Sequence, residues 1–248
     1  MKTAETQDPE RGKKDAHVPR HIAIIPDGNR RWAKKRGMSL AEGYDKGIRK
    51  IGDVLKWCKA SGVHTLSMWG FSTDNAKRNP EEIRKLFGLF KKYLYEIIEE
   101  SRKKGGGGNK TYDVRVRFLG RRELFPAEIR EAMGRIEDYT KDNKTYRLNL
   151  LLGYGGREEI VDAVNALIRE GARSVDEEAI SRHLYTAGME DPDLVIRTSG
   201  EQRLSGLLPW QATYSELYFS RKLWPDFSRK DFLEAVNTYE RRKRRFGK

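Results

Sequence analysis

His21-Ile22-Ala23-Ile24-Ile25-Pro26-Asp27-Gly28-Asn29-Arg30-Arg31-Trp32 is the stretch from which the fold is read. A short apolar run bounded by turn residues reads as a buried strand of a parallel sheet. Proline ends the run, Gly28 lets the backbone approach a ligand closely, and Asp27 or Asn29 is expected to cap the helix that follows. The N–H groups at that helix start would face outward at the carboxyl edge of the sheet, where open α/β folds bind anions. Asp27 then has two readings. It is a helix cap, a common place for Asp, or it is a Mg²⁺ ligand beside a phosphate. The second reading arises because a carboxylate next to an anion is unfavourable unless a cation bridges them.

Outward from this stretch, strand and helix patterns alternate. Tyr44, Ile48, Ile51, Leu55 and Cys58 recur at helical spacing as far as Ser61-Gly62. Val63 to Phe71 reads as a second strand, and Ser72 to Asn79 as a polar loop. Pro80-Glu81-Glu82 opens a long helix, with proline in its first turn and acids at the positive end of the dipole. Its apolar arc of Ile83, Leu86, Phe87, Leu89, Phe90, Tyr93, Leu94, Ile97 and Ile98 is wider than one packing contact needs. Burial between two neighbours explains it, and so does a wall of a cavity for an apolar ligand. Gly105 to Gly108 is a flexible break, not a phosphate loop, since no Lys-Ser/Thr follows. Further strands are expected at Asp113–Gly120 (alternating, as at an edge), Tyr146–Gly153, Leu194–Ile196 and Tyr214–Phe219. Helices are expected at about Pro126–Asp142, along Ile160, Val161, Val164, Leu167 and Ile168, at Asp176–Tyr185 and at Ser228–Arg245. The fold class is therefore α/β: a largely parallel central sheet flanked by helices, one domain over 18–248 after a polar, disordered tail at 1–17.

Composition narrows the chemistry. Of 248 residues, 50 are Lys or Arg against 37 Asp or Glu, a formal charge of +13, so the chain favours polyanions: nucleic acid, acidic membranes or phosphorylated substrates. The lone Cys58 excludes an intramolecular disulfide and suits a reducing compartment. No apolar run approaches the ~20 residues of a membrane span, so a soluble, cytoplasmic protein is expected. There is no His/Cys cluster for zinc, no Walker loop, no dinucleotide fingerprint and no nucleophile elbow. What remains is a repeated pattern at strand ends. Arg31, Arg78, Arg197 and Arg203 sit among glycines and hydroxyls, and with Ser205 they suit a diphosphate, because a guanidinium matches phosphate oxygens two at a time.

Five motifs in order carry a family resemblance: the opening His21–Trp32 stretch, Gly70-Phe71-Ser72-Thr73-Asp74-Asn75, Gly153-Tyr154-Gly155-Gly156-Arg157, Asp193 to Glu201, and Trp210 to Phe219. Over about residues 18 to 248 the chain resembles the cis-prenyltransferases, the family of undecaprenyl and dehydrodolichyl diphosphate synthases. The resemblance implies a homodimer that uses Mg²⁺ to add isopentenyl diphosphate repeatedly, with cis double bonds, to an allylic diphosphate such as farnesyl or geranylgeranyl diphosphate. It implies membrane contact through the lipid product and no nucleic-acid partner. Position by position it implies that Asp27 is indispensable and holds Mg²⁺, with Glu216 as second carboxylate. Gly28, Asn29, Arg30, Arg31 and Arg78 would hold the allylic diphosphate; Arg197, Arg203 and Ser205, next to Leu204, would hold isopentenyl diphosphate. Trp32 and Phe71 would pack on the prenyl chain, and the Pro80 helix would wall the product tunnel. Asn75, in a loop with Ser72, Thr73, Asp74 and Ala76, would orient the transferred proton toward a diphosphate oxygen.

Departures from the family pattern shape the expectation. Leu40 and Tyr44 stand where bacterial members commonly have Arg and His, Ala76 replaces a Trp and Gln202 a His. The ending Arg245-Phe246-Gly247-Lys248 resembles the Arg-x-Gly tail of archaeal and eukaryotic members, which reaches a neighbouring subunit's diphosphate. Two rival readings are a non-catalytic partner subunit, which has no need of Asp27, and a nucleic-acid-binding α/β protein, for which no recognisable module is present.

Overall fold

The structure is a computed structural model and describes residues 18–103 and 114–242. The expected polar tail, the Gly105 to Gly108 break and the Arg245-Phe246-Gly247-Lys248 ending lie outside the described residues.

The elements in chain order are β1 (His21–Ile25), α1 (Asn29–Lys35), α2 (Leu40–Ala60), β2 (Thr65–Ser72), α3 (Pro80–Lys103) and β3 (Val114–Leu119). They continue with α4 (Ala127–Thr140), β4 (Tyr146–Tyr154), α5 (Gly156–Arg169), α6 (Glu177–His183), β5 (Leu194–Arg197), β6 (Glu216–Phe219) and α7 (Arg229–Arg241). Among the described residues six strands form one sheet, ordered β3-β4-β2-β1-β5-β6, and every neighbouring pair is parallel. All five β1 residues are buried, which is why the run is apolar from Ile22 to Ile25 where the edge strand β3 alternates valine and arginine; His21 is buried on Ser67 and the Glu190 carbonyl.

Side-chain alternation divides the core. Ile22, Ile24, Leu66, Met68 and Leu148 face one way and pack with Val54, Phe227 and Phe232 under α2 and α7. Val116 and Phe118 continue that face toward α3 and α4 through Leu86, Leu94, Ile129 and Met133. Ala23, Ile25, Leu151 and Val195 face the other way, under Leu207, Leu208 and Ala212. The order of strands reverses at β1: the chain leaves it for β2 on one side and returns to β5 on the other, which opens a crevice at the carboxyl end of β1. Among the described residues no helix is long and apolar enough to cross a membrane.

Several local expectations change. Neither Asp27 nor Asn29 caps α1: the N-cap is Gly28, at φ 111°, and no side chain caps that end. The carboxylate of Asp27 is drawn away by arginines, and glycine tolerates the left-handed backbone that remains. The 72–79 segment is not a plain loop. Ser72 and Asn75 form a reciprocal capping box around a 3₁₀ turn, Thr73–Lys77. On α5 the buried residues are Gly156, Glu159, Ala163 and Leu167, while Val161 and Ile168 of the expected apolar face are 54% and 63% exposed. An internal hydrogen-bond network draws Glu159 inward and turns the helix away from its most apolar face.

Candidate active site

Asp27, Arg31, Arg197, Arg203 and Ser205 are linked above β1, and Arg30, Arg78 and Tyr44 form a second cluster beside it. The backbone of Asp27 is pinned first: its carbonyl accepts from Thr198 Oγ1 at 2.7 Å and from Trp224 N at 3.0 Å. Its carboxylate, 31% exposed, receives Arg197 Nη2 at 2.9 Å and lies 3.4 Å from Arg31 Nη2. Burial alone would push this carboxyl up. The hydrogen bond from Arg197 and the charges of Arg197 and Arg31 overcome that, and Asp27 sits below its usual range.

Arg197 ends β5 and its side chain is 5% exposed. Its Nη1 donates to the Arg203 carbonyl at 2.6 Å and to Ser205 Oγ at 2.8 Å, so one guanidinium joins Asp27 to the 203–205 segment. Among the described residues its Nε is buried without a hydrogen-bond partner, while the nearby Ser199 hydroxyl helps hold Asp27 charged. Ser199 itself adopts φ 83°, a left-handed backbone that a serine rarely takes. Buried polar groups are nearly always paired, so unpaired ones at a cleft mark where a ligand oxygen belongs. Arg203 lies 2.6 Å from Glu201, which also lies 3.5 Å from Arg31; Leu204 packs beside the Leu207–Leu208 core.

The second half of the site opens beside β2. Arg30, next to Arg31 on α1, lies 4.0 Å from Glu82, and Arg78 lies 3.1 Å from it. The Tyr44 hydroxyl donates to Glu82 at 2.7 Å and accepts from Arg78 at 3.0 Å. Burial and the neighbouring Glu82 push the Tyr44 phenol up to about 12, so it remains a donor. Asn75 accepts the Ser72 N–H at 3.2 Å and donates its own N–H to Ser72 Oγ at 3.1 Å. Thr73 donates to Glu158 at 3.0 Å, Asp74 pairs with Lys77 at 2.8 Å, and Ala76 is exposed. Asn29 donates to the Pro26 carbonyl at 3.1 Å, and its Oδ1 lies where a side chain on Gly47 would stand, 2.2 Å from that Cβ. Gly47 therefore lets α2 lie directly against α1.

Three expected residues have other neighbours in the fold. Glu216 opens β6 opposite Leu194, three residues before the Arg197–Phe219 pair, so it sits roughly 10 Å from the carboxyl edge along the strands. There it pairs with Arg242, and within the chain it does not join Asp27. Trp32 is buried, with its indole N–H on Asp226 at 2.8 Å, and so packs into the protein. Phe71 is likewise buried, in a cluster with Phe87, Phe90 and Phe125 at ring distances of 5.5, 6.4 and 5.6 Å. On α3, Leu86 and Leu94 are core, whereas Phe87 and Phe90 are half-buried.

Sequence reasoning missed Glu82 and Glu201 as site members. Glu82 reads as an ordinary first-turn acid, and nothing local tells it apart from Glu81. Among the described residues no three His, Cys, Asp or Glu side chains converge as a metal cage. Asp27 is a reachable carboxylate among arginines, with Glu201 on the far side of Arg31, and that suits a hard cation whose remaining ligands would be substrate phosphates and water.

Comparison with known proteins places this geometry. Residues 25–247 match the family model described as putative undecaprenyl diphosphate synthase. An isoprenyl transferase of Thermus thermophilus is 47% identical over 241 residues, covering 93% of this chain and 89% of that protein. A tritrans,polycis-undecaprenyl-diphosphate synthase (geranylgeranyl-diphosphate specific) of Thermoplasma acidophilum is 42% identical, with 93% and 89% covered. Among solved structures, lavandulyl diphosphate synthase from Lavandula x intermedia, in complex with dimethylallyl diphosphate, superposes with a TM-score of 0.85 at 33% identity. It covers 93% of this chain and 99% of that one.

Proposed function

The chain belongs to the cis-prenyltransferase family, and we propose that it condenses isopentenyl diphosphate units onto an allylic diphosphate starter to make a long cis-polyprenyl diphosphate. The observation that carries this reading is the buried Arg197. It joins Asp27 to Ser205 and the Arg203 carbonyl while its own Nε lacks a partner among the described residues.

Each residue has a task in that reaction. Arg197, Arg203 and Ser205 hold the isopentenyl diphosphate, with guanidinium forks matching its oxygens. Gly28, Asn29, Arg30, Arg31 and Arg78 hold the starter diphosphate at the mouth of β1. Asp27 would hold Mg²⁺, and when bound the cation would supply stabilisation of the charge that develops on the leaving diphosphate. Glu216 stands too far along β6 to share that cation within one chain. Asn75, whose carbonyl oxygen accepts the Ser72 N–H, offers its amide N–H to a diphosphate oxygen and so orients that oxygen to take the transferred proton; an amide is too weak a base to take the proton itself. Phe87 and Phe90 offer the growing chain an apolar wall. The protein works as a homodimer in the cytoplasm, touching the membrane through its lipid product, with farnesyl or geranylgeranyl diphosphate as starter.

Purified protein is incubated with Mg²⁺, labelled isopentenyl diphosphate and each of several allylic starters, and the products are separated by chain length. A ladder of extended products that vanishes with chelator is expected. No extension with any starter would overturn the proposal.

A further inference from the structure

We propose that Glu82 is a resident counter-ion of the starter cradle: its carboxylate occupies the place among Arg30, Arg78 and Tyr44 that a phosphate of the allylic diphosphate takes, and leaves it when the starter binds. The inference rests on reading Arg30 and Arg78 as starter-holding residues.

The geometry is that of a filled anion site. One atom, Glu82 Oε1, collects the Tyr44 hydroxyl at 2.7 Å, Arg78 Nη1 at 3.1 Å and Arg30 Nε at 4.0 Å. The Glu82 side chain is only 11% exposed. Burial opposes its charge, yet the Tyr44 hydrogen bond and the two arginines hold the carboxyl below its usual range. The residue before it shows what an ordinary first-turn acid does on this helix. Glu81 points to solvent, 64% exposed, and pairs with Lys85 one turn on at 2.7 Å. Glu82 instead turns into the cleft, at the positive end of the α3 dipole, where an anion is favoured twice over.

A single carboxylate offsets part of the charge of two arginines, Arg78 at 30% exposure and the more open Arg30 at 56%, and leaves the cradle net positive. A diphosphate brings more charge and more acceptor oxygens, so it can replace the carboxylate, but it must first displace it. The starter's affinity is thereby lowered and the empty cradle is kept in shape. Tyr44 is part of the device, because its hydroxyl ties Glu82 and Arg78 together.

Glu82→Gln keeps the shape and removes the charge. Calorimetric binding of inorganic diphosphate to the full-length protein is compared among wild type, Glu82→Gln and Arg78→Ala. Removing a competing unit charge within about 4 Å, discounted for solvent screening, is expected to tighten diphosphate binding by about tenfold. Arg78→Ala is expected to weaken it. Unchanged or weaker binding by Glu82→Gln would overturn the inference, because it would make Glu82 an organiser of Arg78. Wild-type affinity in Arg78→Ala is a separate failure: it removes the cradle reading and the inference with it. Thermal melts establish that each variant is folded, and Glu82→Ala, which must shift affinity in the same direction, stands in if Glu82→Gln is not.

Discussion

Asp27 and Arg197 are the two residues on which the chemistry concentrates, and their substitutions should fail in different ways. Asp27→Ala removes the one carboxylate placed to hold a cation against a diphosphate. Turnover should fall by at least about 10³-fold; some melting temperature is lost as well, because the buried Arg197 loses this carboxylate, so rates are read well below the melting transition. Steady-state rates with saturating substrates check this, and near-normal turnover would remove Asp27 from the site. Arg197→Lys keeps the charge but loses the fork that spans Asp27, Ser205 and the Arg203 carbonyl. A lysine reaches one of these partners at a time, so kcat/KM for isopentenyl diphosphate should fall by roughly 10–100-fold, with the starter's KM little changed. Both residues were visible in the sequence as members of motifs. That they touch was not, because 170 residues separate them in the chain.

At the scale of elements, α3 has two apolar sides with different duties. Leu86 and Leu94 are buried against α4, so Leu94→Ala should cost roughly 2–5 kcal/mol of stability in denaturant titrations. Phe87 and Phe90 are half-buried, and shrinking either should change product length more than rate; an unchanged product distribution would make this side ordinary core. The helix α5 carries a different signature. Glu159 is fully buried, takes hydrogen bonds from Tyr154 at 2.6 Å and Gln211 at 3.1 Å, and burial pushes its pKa up. A carboxyl raised in the folded state supports folding below its unfolded value of about 4.5 and loses that support as pH rises through the folded value. Glu159→Gln should therefore gain melting temperature relative to wild type at about pH 8 and lose the advantage at about pH 4. Parallel melts across that window decide it; an equal difference at both ends would show that Glu159 is not the titrating group.

At the scale of the whole molecule, the proposed homodimer makes a second copy part of the reading. The ending with Arg245 and Gly247 lies outside the described residues and is assigned by resemblance alone. If it crosses to a partner's diphosphate, deleting 245–248 should weaken isopentenyl diphosphate use while leaving the dimer intact. A mixed dimer of one truncated chain and one Asp27→Ala chain should then keep about half its sites working, since the intact Asp27 receives the full-length partner's tail. A mixed dimer as inactive as its parents would defeat the crossing.

The sequence by itself determined the layered α/β class, the order of elements and the motifs that line the carboxyl edge. Each of these is a local property: apolar runs such as Ile22–Ile25, helical spacing along α2 and turn residues at their ends report on neighbours within a few positions. It also named Asp27, Arg30, Arg31, Arg78, Arg197 and Ser205. Only the tertiary structure decided who touches whom. It turned Asp27 from a cap into the partner of Arg197, set Glu216 at the far end of its strand, buried Trp32 on Asp226, and aimed Glu82 into the cleft while Glu81 faces solvent. These outcomes follow from desolvation and charge pairing between segments distant in sequence. Adjacent glutamates with the same local pattern are separated only by which arginines the fold brings within about 4 Å.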